Sequence, residues 1–200
     1  AYRNTDFQTA RSKFRDFLER PGISPYRKTK ALELLLDMSE IQDDIKKQRV
    51  YIKKLLALSP QRIELYLKMG DSYARQGNAK EALKSYLDAL AFFPENEELL
   101  LKACHWLQKS EAFFKIIELL SSTNLVYRNK NLALFLVDSY LRLFDYLAAR
   151  TVLQKMLLSL GKDEKIPERF RFLLEKDEKS WKKPQHYKLE LKNLQRLEEK

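Results

Sequence analysis

The run Ile63-Glu64-Leu65-Tyr66-Leu67-Lys68-Met69-Gly70-Asp71-Ser72-Tyr73-Ala74-Arg75 leads through Gln76-Gly77-Asn78 into Ala79-Lys80-Glu81-Ala82-Leu83-Lys84-Ser85-Tyr86-Leu87-Asp88-Ala89-Leu90-Ala91-Phe92-Phe93-Pro94. Apolar residues fall at Leu65, Tyr66, Met69, Tyr73 and Ala74 in the first half. In the second they fall at Ala82, Leu83, Tyr86, Ala89, Leu90 and Phe93. Both sets keep the i, i+3, i+4, i+7 spacing of one buried helical face. The spacing predicts a helix over roughly 63–75 and another over roughly 80–93. Gly77 suits the left-handed residue that ends the first.

Working outward, Pro60 and Pro94 lie 34 positions apart and close similar phrases, Leu55-Leu56-Ala57-Leu58-Ser59-Pro60 and Ala89-Leu90-Ala91-Phe92-Phe93-Pro94. Each fits at or before the first turn of the next unit. A fixed period of this length is the mark of a helical repeat. Residues 63–96 resemble a tetratricopeptide repeat. The family pattern asks for an aromatic, Leu, Gly and Tyr on the first helix, then Ala, an aromatic, Ala and Pro on the second. Here those places hold Tyr66, Met69, Gly70, Tyr73, Ala82, Tyr86, Ala89 and Pro94. Gly70, Ala82 and Ala89 are small enough for paired helices to approach closely. The tyrosines fill the space between neighbours.

The flanking units are degenerate. Residues 29–62 keep Leu32, Leu35, Ile52, Leu55 and Pro60 in phase, with Leu36, Ser39 and Gln48 replacing Gly, Tyr and Ala. Residues 97–129 read as Leu99–Leu107 and then a short helix Ala112–Leu120, with Cys104 at the small position. Residues 130–161 restore the phase at Ala133, Leu136, Tyr140, Ala149, Leu153 and Met156, with Val137 and Gly161 in the Gly and Pro places. The resemblance implies an all-α, right-handed α-solenoid of about four tetratricopeptide-like helix pairs. Its expected divisions are an N-terminal capping helix in 1–28, repeats at 29–62, 63–96, 97–129 and 130–161, and C-terminal capping helices in 162–200. A helix over 5–20, with Phe7, Ala10, Phe14, Phe17 and Leu18 apolar and ended by Pro21-Gly22, supplies the first cap. Pro167 opens a helix with Phe170, Leu173 and Leu174, and Pro184 opens a last stretch with Tyr187, Leu189, Leu191, Leu194 and Leu197. Terminal repeats expose apolar faces, so atypical caps are expected. The last helix either covers its own solenoid or joins another chain.

Composition agrees with helices. The chain has 200 residues, 44% apolar and 33% charged, with only 4 Gly and 6 Pro. Sheet proteins need turn residues more often than that. No apolar run reaches the length of a membrane-spanning helix, so no membrane insertion is expected in this segment. No signal peptide is visible. The chain begins Ala-Tyr-Arg without Met and reads as a piece of a longer protein. The single cysteine excludes an internal disulfide and suits a reducing, cytoplasmic setting, but leaves a periplasmic one open.

No catalytic constellation, metal site or cofactor motif is found. The only histidines are His105 and His186. Cys104 and His105 are sequential neighbours and point in different directions on a helix, so they do not make a nucleophile pair. Four glycines hardly build a phosphate loop. Asp43-Asp44 and Glu97-Glu98 fit solvated helix starts. Lys46-Lys47-Gln48-Arg49 with Lys53-Lys54, and Lys182-Lys183 beside Trp181, read first as charged surface and second as phosphate contacts. Trp181 reads as a cap residue or an exposed anchor, and Trp106 as packing.

The net charge is +10, and it sits mainly on the ends. Residues 1–30 carry eight Lys/Arg against three acids, 31–161 eighteen against sixteen, and 162–200 twelve against nine. A nucleic-acid binder more often gathers its charge on one stripe.

In the resembled family the first helix of each pair lines a concave face used for binding. Matching phases select Lys30, Glu33, Asp37 and Ile41, then Glu64, Leu67, Asp71 and Arg75. They continue with Glu98, Leu101, His105 and Lys109, and with Asn131, Leu134, Asp138 and Arg142. Leu67, Leu101 and Leu134 form an apolar rung, flanked by Asp37, Asp71 and Asp138 on one side and Arg75, Lys109 and Arg142 on the other. The same leucines equally suit packing against neighbouring repeats or the last helix. As a groove, the set fits an amphipathic helix or extended peptide of a protein partner. One subclass of the family grips chaperone C-terminal carboxylates with Lys and Asn. Leu67 and Asp71 stand in those places, so that mode is not expected. The expectation is a non-enzymatic scaffold or adaptor within a larger assembly. The alternative is an RNA-binding helical repeat using its basic ends.

Overall fold

The structure, a computed structural model, describes residues 4–161 and 166–175. Trp181, Lys182, Lys183, His186 and the stretch after Pro184 lie outside them. The described residues form ten α-helices and one short 3-10 helix, with no strand among them. These are α1 (Asn4–Leu18), α2 (Pro25–Ile41), α3 (Ile45–Leu58), α4 (Ile63–Ala74) and α5 (Ala79–Leu90). After them come α6 (Glu97–Lys109), α7 (Phe113–Ser121), the 3-10 helix Asn124–Tyr127, α8 (Lys130–Arg142), α9 (Tyr146–Leu160) and α10 (Glu168–Glu175). The chain divides into an N-terminal unit, Ala1–Phe93, and a C-terminal unit, Pro94–Lys200.

Within each pair the turn has one backbone design. Asp43, Gly77, Glu111 and Phe144 all take positive φ, at 49°, 71°, 55° and 62°. The amide of the next residue then donates back to a carbonyl five positions earlier. These bonds run from Asp44 to Ser39 at 2.9 Å, Asn78 to Tyr73 at 3.0 Å, Ala112 to Leu107 at 2.9 Å and Asp145 to Tyr140 at 2.9 Å. This is the six-to-one bond that satisfies an orphan helix carbonyl. The residue making it also starts the next helix. Asp44, Asn78 and Asp145 accept from the amides of Lys47, Glu81 and Ala148 with their side chains. One residue thus ends one helix and caps the next, which allows turns of three or four residues.

In the N-terminal unit, α2 packs on α3 and α4 on α5, with α1 against α2. Leu32, Leu35, Leu36, Ile52, Leu55, Leu65 and Met69 make its core, with Phe14, Leu18, Tyr51, Leu56 and Tyr73 packed around them. Gly70 has a specific reason. A Cβ there would lie 2.2 Å from Cε1 of Tyr86, inside the ring's own contact radius. Arg49 fastens α3 to α4: its guanidinium stacks 3.7 Å from the Tyr73 ring centroid and donates to Ser72 Oγ, the Ser72 carbonyl and Gln76 Oε1 at 2.8, 2.6 and 2.9 Å. Of the basic run at 46–54, Arg49 is therefore a packing residue.

In the C-terminal unit, α6 packs on α7 and α8, and α8 on α9, with α10 against α9. Ala103, Cys104, Ala133, Val137 and Ala149 are fully buried between larger residues such as Leu99, Leu136, Leu153 and Phe170. As expected from its sequence, the second helix of the third pair is short. α7 has nine residues, and the chain continues through the 3-10 helix, whose Val126 is buried.

Candidate functional site

In the N-terminal unit α2 and α4, with the residues that flank them, are linked by ion pairs. Arg62 Nη1 lies 2.8 Å from Glu33 Oε1, Lys68 Nζ 2.5 Å from Glu40 Oε1, and Arg75 Nη1 3.7 Å from Asp43 Oδ1. Lys30 and Arg62 beside Glu33 hold its carboxyl below the ordinary range, Lys30 contributing most. An open pocket of about 620 Å³ lies at one end of this ladder, lined by Glu40, Asp43, Gln48, Lys68, Asp71, Ala74 and Arg75. Of the N-terminal candidates, Asp71 and Arg75 line it and Leu67 does not. Leu67 is half-buried on α4. Asp71 is not a free rim charge, since the Tyr86 hydroxyl donates to its Oδ1 at 2.6 Å. Glu40, Asp43 and Lys68 were outside the sequence selection, which sampled fixed phases of the first helix. Asp43 sits in the turn, and no periodicity reaches it.

In the C-terminal unit Leu101 and Leu134 are half-buried, while His105, Lys109 and Arg142 are exposed. Asp138 is 6% exposed. Gln108 Nε2 donates to its Oδ2 at 3.0 Å, and Arg142 Nε stands 3.9 Å from the same oxygen. Its carboxylate therefore ties α8 to α6. The Arg142 guanidinium also lies 5.6 Å from the Phe113 ring centroid. On α6, Lys109 Nζ sits 4.9 Å over Trp106, and His105 meets the same ring edge-on at 5.7 Å. Burial first, and then the Lys109 charge, lowers the His105 pKa. Trp106 is half-buried under these two polar residues, so its ring is partly accessible.

Cys104 is fully buried, and burial pushes its thiol up to about 12. A thiol so placed is a packing group, not a nucleophile. Among the described residues, no three His, Cys, Asp or Glu side chains gather in a way that could hold a metal ion. No described helix is long and apolar enough to cross a membrane.

The fold has counterparts among solved structures. Twelve solved chains match it. One of them, the crystal structure of MamA protein, aligns with a TM-score of 0.50 and 18% identity over 66% of this chain and 73% of that one. The fold is an all-helical, tetratricopeptide-like repeat. No protein-family model matches the chain, and no curated protein does. At 18% identity, the likeness to MamA concerns the path of the chain and not its partners.

Proposed function

We propose that this chain is a non-enzymatic scaffold that holds a segment of a partner protein, helical or extended, against the first helices of its pairs. The reading includes membership of the tetratricopeptide family, with 63–96 as its full-pattern unit. It also includes repeats at 29–62, 63–96, 97–129 and 130–161 between caps in 1–28 and 162–200. Turns of one design at Asp43, Gly77, Glu111 and Phe144, spaced 34, 34 and 33 residues apart, support that division.

The observation that carries the functional reading is the pocket where α2 meets α4. Its walls offer both signs of charge, from Glu40, Asp43 and Asp71 against Lys68 and Arg75. The Arg75–Asp43 pair is more than half exposed. Such pairs contribute roughly 0.2–1 kcal/mol, so a partner's charged groups can exchange with them at small cost. Leu67, one turn back on α4, adds an apolar contact. In the C-terminal unit, Leu101 and Leu134 with His105, Lys109 and Arg142 offer the same kind of surface. Asp138 supports Arg142 from beneath.

The test uses the full chain as bait in lysate of its source, with captured proteins quantified by mass spectrometry. Arg75→Glu and Leu67→Glu perturb the N-terminal surface, and Leu101→Glu and Lys109→Glu the C-terminal one. Circular dichroism monitors folding. At least one pair of variants should lower specific capture by about tenfold, equivalent to 1.4 kcal/mol. Undiminished capture by all four folded variants refutes the reading.

A further inference from the structure

In α3, Ile-Lys-Lys-Gln-Arg-Val-Tyr followed by Ile-Lys-Lys-Leu-Leu-Ala-Leu, the triplet Ile-Lys-Lys recurs after seven residues. Ile45 pairs with Ile52 in this register, Lys46 with Lys53, Lys47 with Lys54, and Val50 with Ala57. Ile52 is buried in the core of the N-terminal unit and Tyr51 packs against it. The opposite face, Lys46, Lys47, Val50, Lys53, Lys54, Ala57 and Leu58, is exposed along the whole helix. Val50 is 49% and Leu58 40% exposed.

This face is unfavourable for the isolated protein in three ways. The helix carries five cations and no acid. Lys46 and Lys47 stand in its first turn, where the helix dipole disfavours positive charge. Arg49 lies three residues after Lys46 and four before Lys53, spacings at which like charges repel. Asp44 offsets Lys47, with which it forms an ion pair. Lys46, Lys53 and Lys54 have no ion-pair partner among the described residues. Across α2 and α4, by contrast, Arg62, Lys68 and Arg75 all have carboxylate partners.

We propose that the outer face of α3 is a second docking surface, for an acidic amphipathic helix of a partner protein. Lysine pairs seven residues apart are separated by about 10 Å along the axis, two helical turns. Val50 lies between the pairs, and Ala57 with Leu58 beyond the second. A partner helix whose acids also recur every seven residues meets both lysine pairs, while its apolar seam lies on Val50 and Ala57, between the two lysine rows. Charges beside an apolar stripe choose the partner here, as they do beside the seam of paired helices. Single-stranded RNA fits less well, because its bases need aromatic platforms and no aromatic residue is on this face. A membrane surface fits less well too, because one Val, one Ala and one Leu are little apolar area to insert.

The probe is a fluorescent synthetic peptide of about 20 residues, long enough to span α3. It carries Glu pairs seven apart on either side of a Leu seam, and its scrambled isomer is the control. Binding to the full chain is read by fluorescence anisotropy. The patterned peptide should bind saturably and at least about tenfold tighter than the scrambled one, a gap that pattern and not net charge must supply. The triple variant K46E/K53E/K54E, all at exposed positions, should lose that preference with its helical content unchanged. Val50→Asp alone should weaken binding while leaving every lysine in place. Arg75→Glu, in the separate pocket, should leave peptide binding unaltered, so failure here and failure of the groove reading are told apart. Equal binding of the two peptides overturns the proposal. So does undiminished binding by the triple variant, or tighter retention of oligouridylate or of phosphatidylserine vesicles than of the patterned peptide.

Discussion

Gly70→Ala tests the close approach of α4 to Tyr86 on α5. A Cβ at this position falls 2.2, 2.6 and 2.8 Å from Cε1, Cζ and Cδ1 of Tyr86. Ordinary carbon contacts lie near 3.5–4.0 Å, so the ring must move by more than about 1 Å. It has little room to do so. Tyr86 is 1% exposed, and its hydroxyl is held by Asp71 Oδ1 at 2.6 Å. Overpacking of this kind costs about 1–3 kcal/mol. Breaking or stretching a hydrogen bond to a carboxylate adds about 1.5 kcal/mol. Alanine's better helix propensity returns about 1 kcal/mol. The net expectation is a loss of about 2 kcal/mol, or a fall in Tm of about 4–8 °C for a chain of this length. Thermal and urea unfolding followed by circular dichroism read it. The decisive comparison is the Tyr86→Leu background, where the ring is gone and Gly70→Ala should be neutral or stabilising. If Gly70→Ala stabilises the native protein, or costs the same in both backgrounds, the close approach is not what selects glycine.

Arg49→Ala should cost about 2 kcal/mol in urea unfolding, since it removes a stack and charge-assisted hydrogen bonds. Arg49→Lys should recover little of this, because a point charge cannot span Ser72 and Gln76 as the guanidinium does. Cys104 should remain unlabelled by iodoacetamide at pH 8.5 in native protein and react once urea unfolds it, as a thiol raised to about 12 requires; fast native labelling contradicts its burial. The His105 ring should titrate by NMR with a midpoint below its ordinary 6.5, and Lys109→Ala should move that midpoint upward. Because the folded pKa is depressed, the stability linked to His105 is present above the ordinary value and lost as pH falls through the folded one. A midpoint above 6.5 contradicts this.

The helices of 63–90 were legible in the sequence because several local signals coincide there. Apolar spacing, small residues and Gly77 all point to the same pair of helices. Elsewhere the turns were harder to read. Asp43, Glu111 and Phe144 adopt the left-handed conformation of Gly77, at a cost of about 1–2 kcal/mol each. The six-to-one hydrogen bond and the cap that follows hold them there, and composition does not announce such residues. The candidate site was legible as a face and not as a depth. Phase alone put Asp71 and Asp138 in one class. The structure places Asp71 at a pocket under Tyr86 and Asp138 almost wholly inside, because Gln108 reaches it from the neighbouring helix. Which neighbour supplies a donor is a property of the packed pair, and no single helix reveals it. Arg49 shows the same limit in reverse, since a residue in a basic run turned out to be a clasp between helices.

Degeneracy among the helix pairs also follows a physical order. Gly70 and Tyr86 are replaced, 34 residues earlier, by Leu36 and Ile52, both in the core of the N-terminal unit. The next two pairs carry Cys104 with Leu120 and Val137 with Leu153, all fully buried. Where the first-helix residue gains bulk, its second-helix counterpart loses the aromatic ring. Cores tolerate such exchanges when total volume is kept, and suffer when only one partner changes. The pattern of a single pair therefore records one solution to a packing problem, Gly against Tyr, that the other pairs solve with two aliphatic residues or a thiol. This is why residues 63–96 declare the fold and their neighbours do not, although all four pairs share one turn geometry. It is also why Gly70 is more exacting than Gly77. A turn needs only a backbone angle that Asp, Glu or Phe can be held to, whereas the helix crossing at Gly70 needs the absence of an atom.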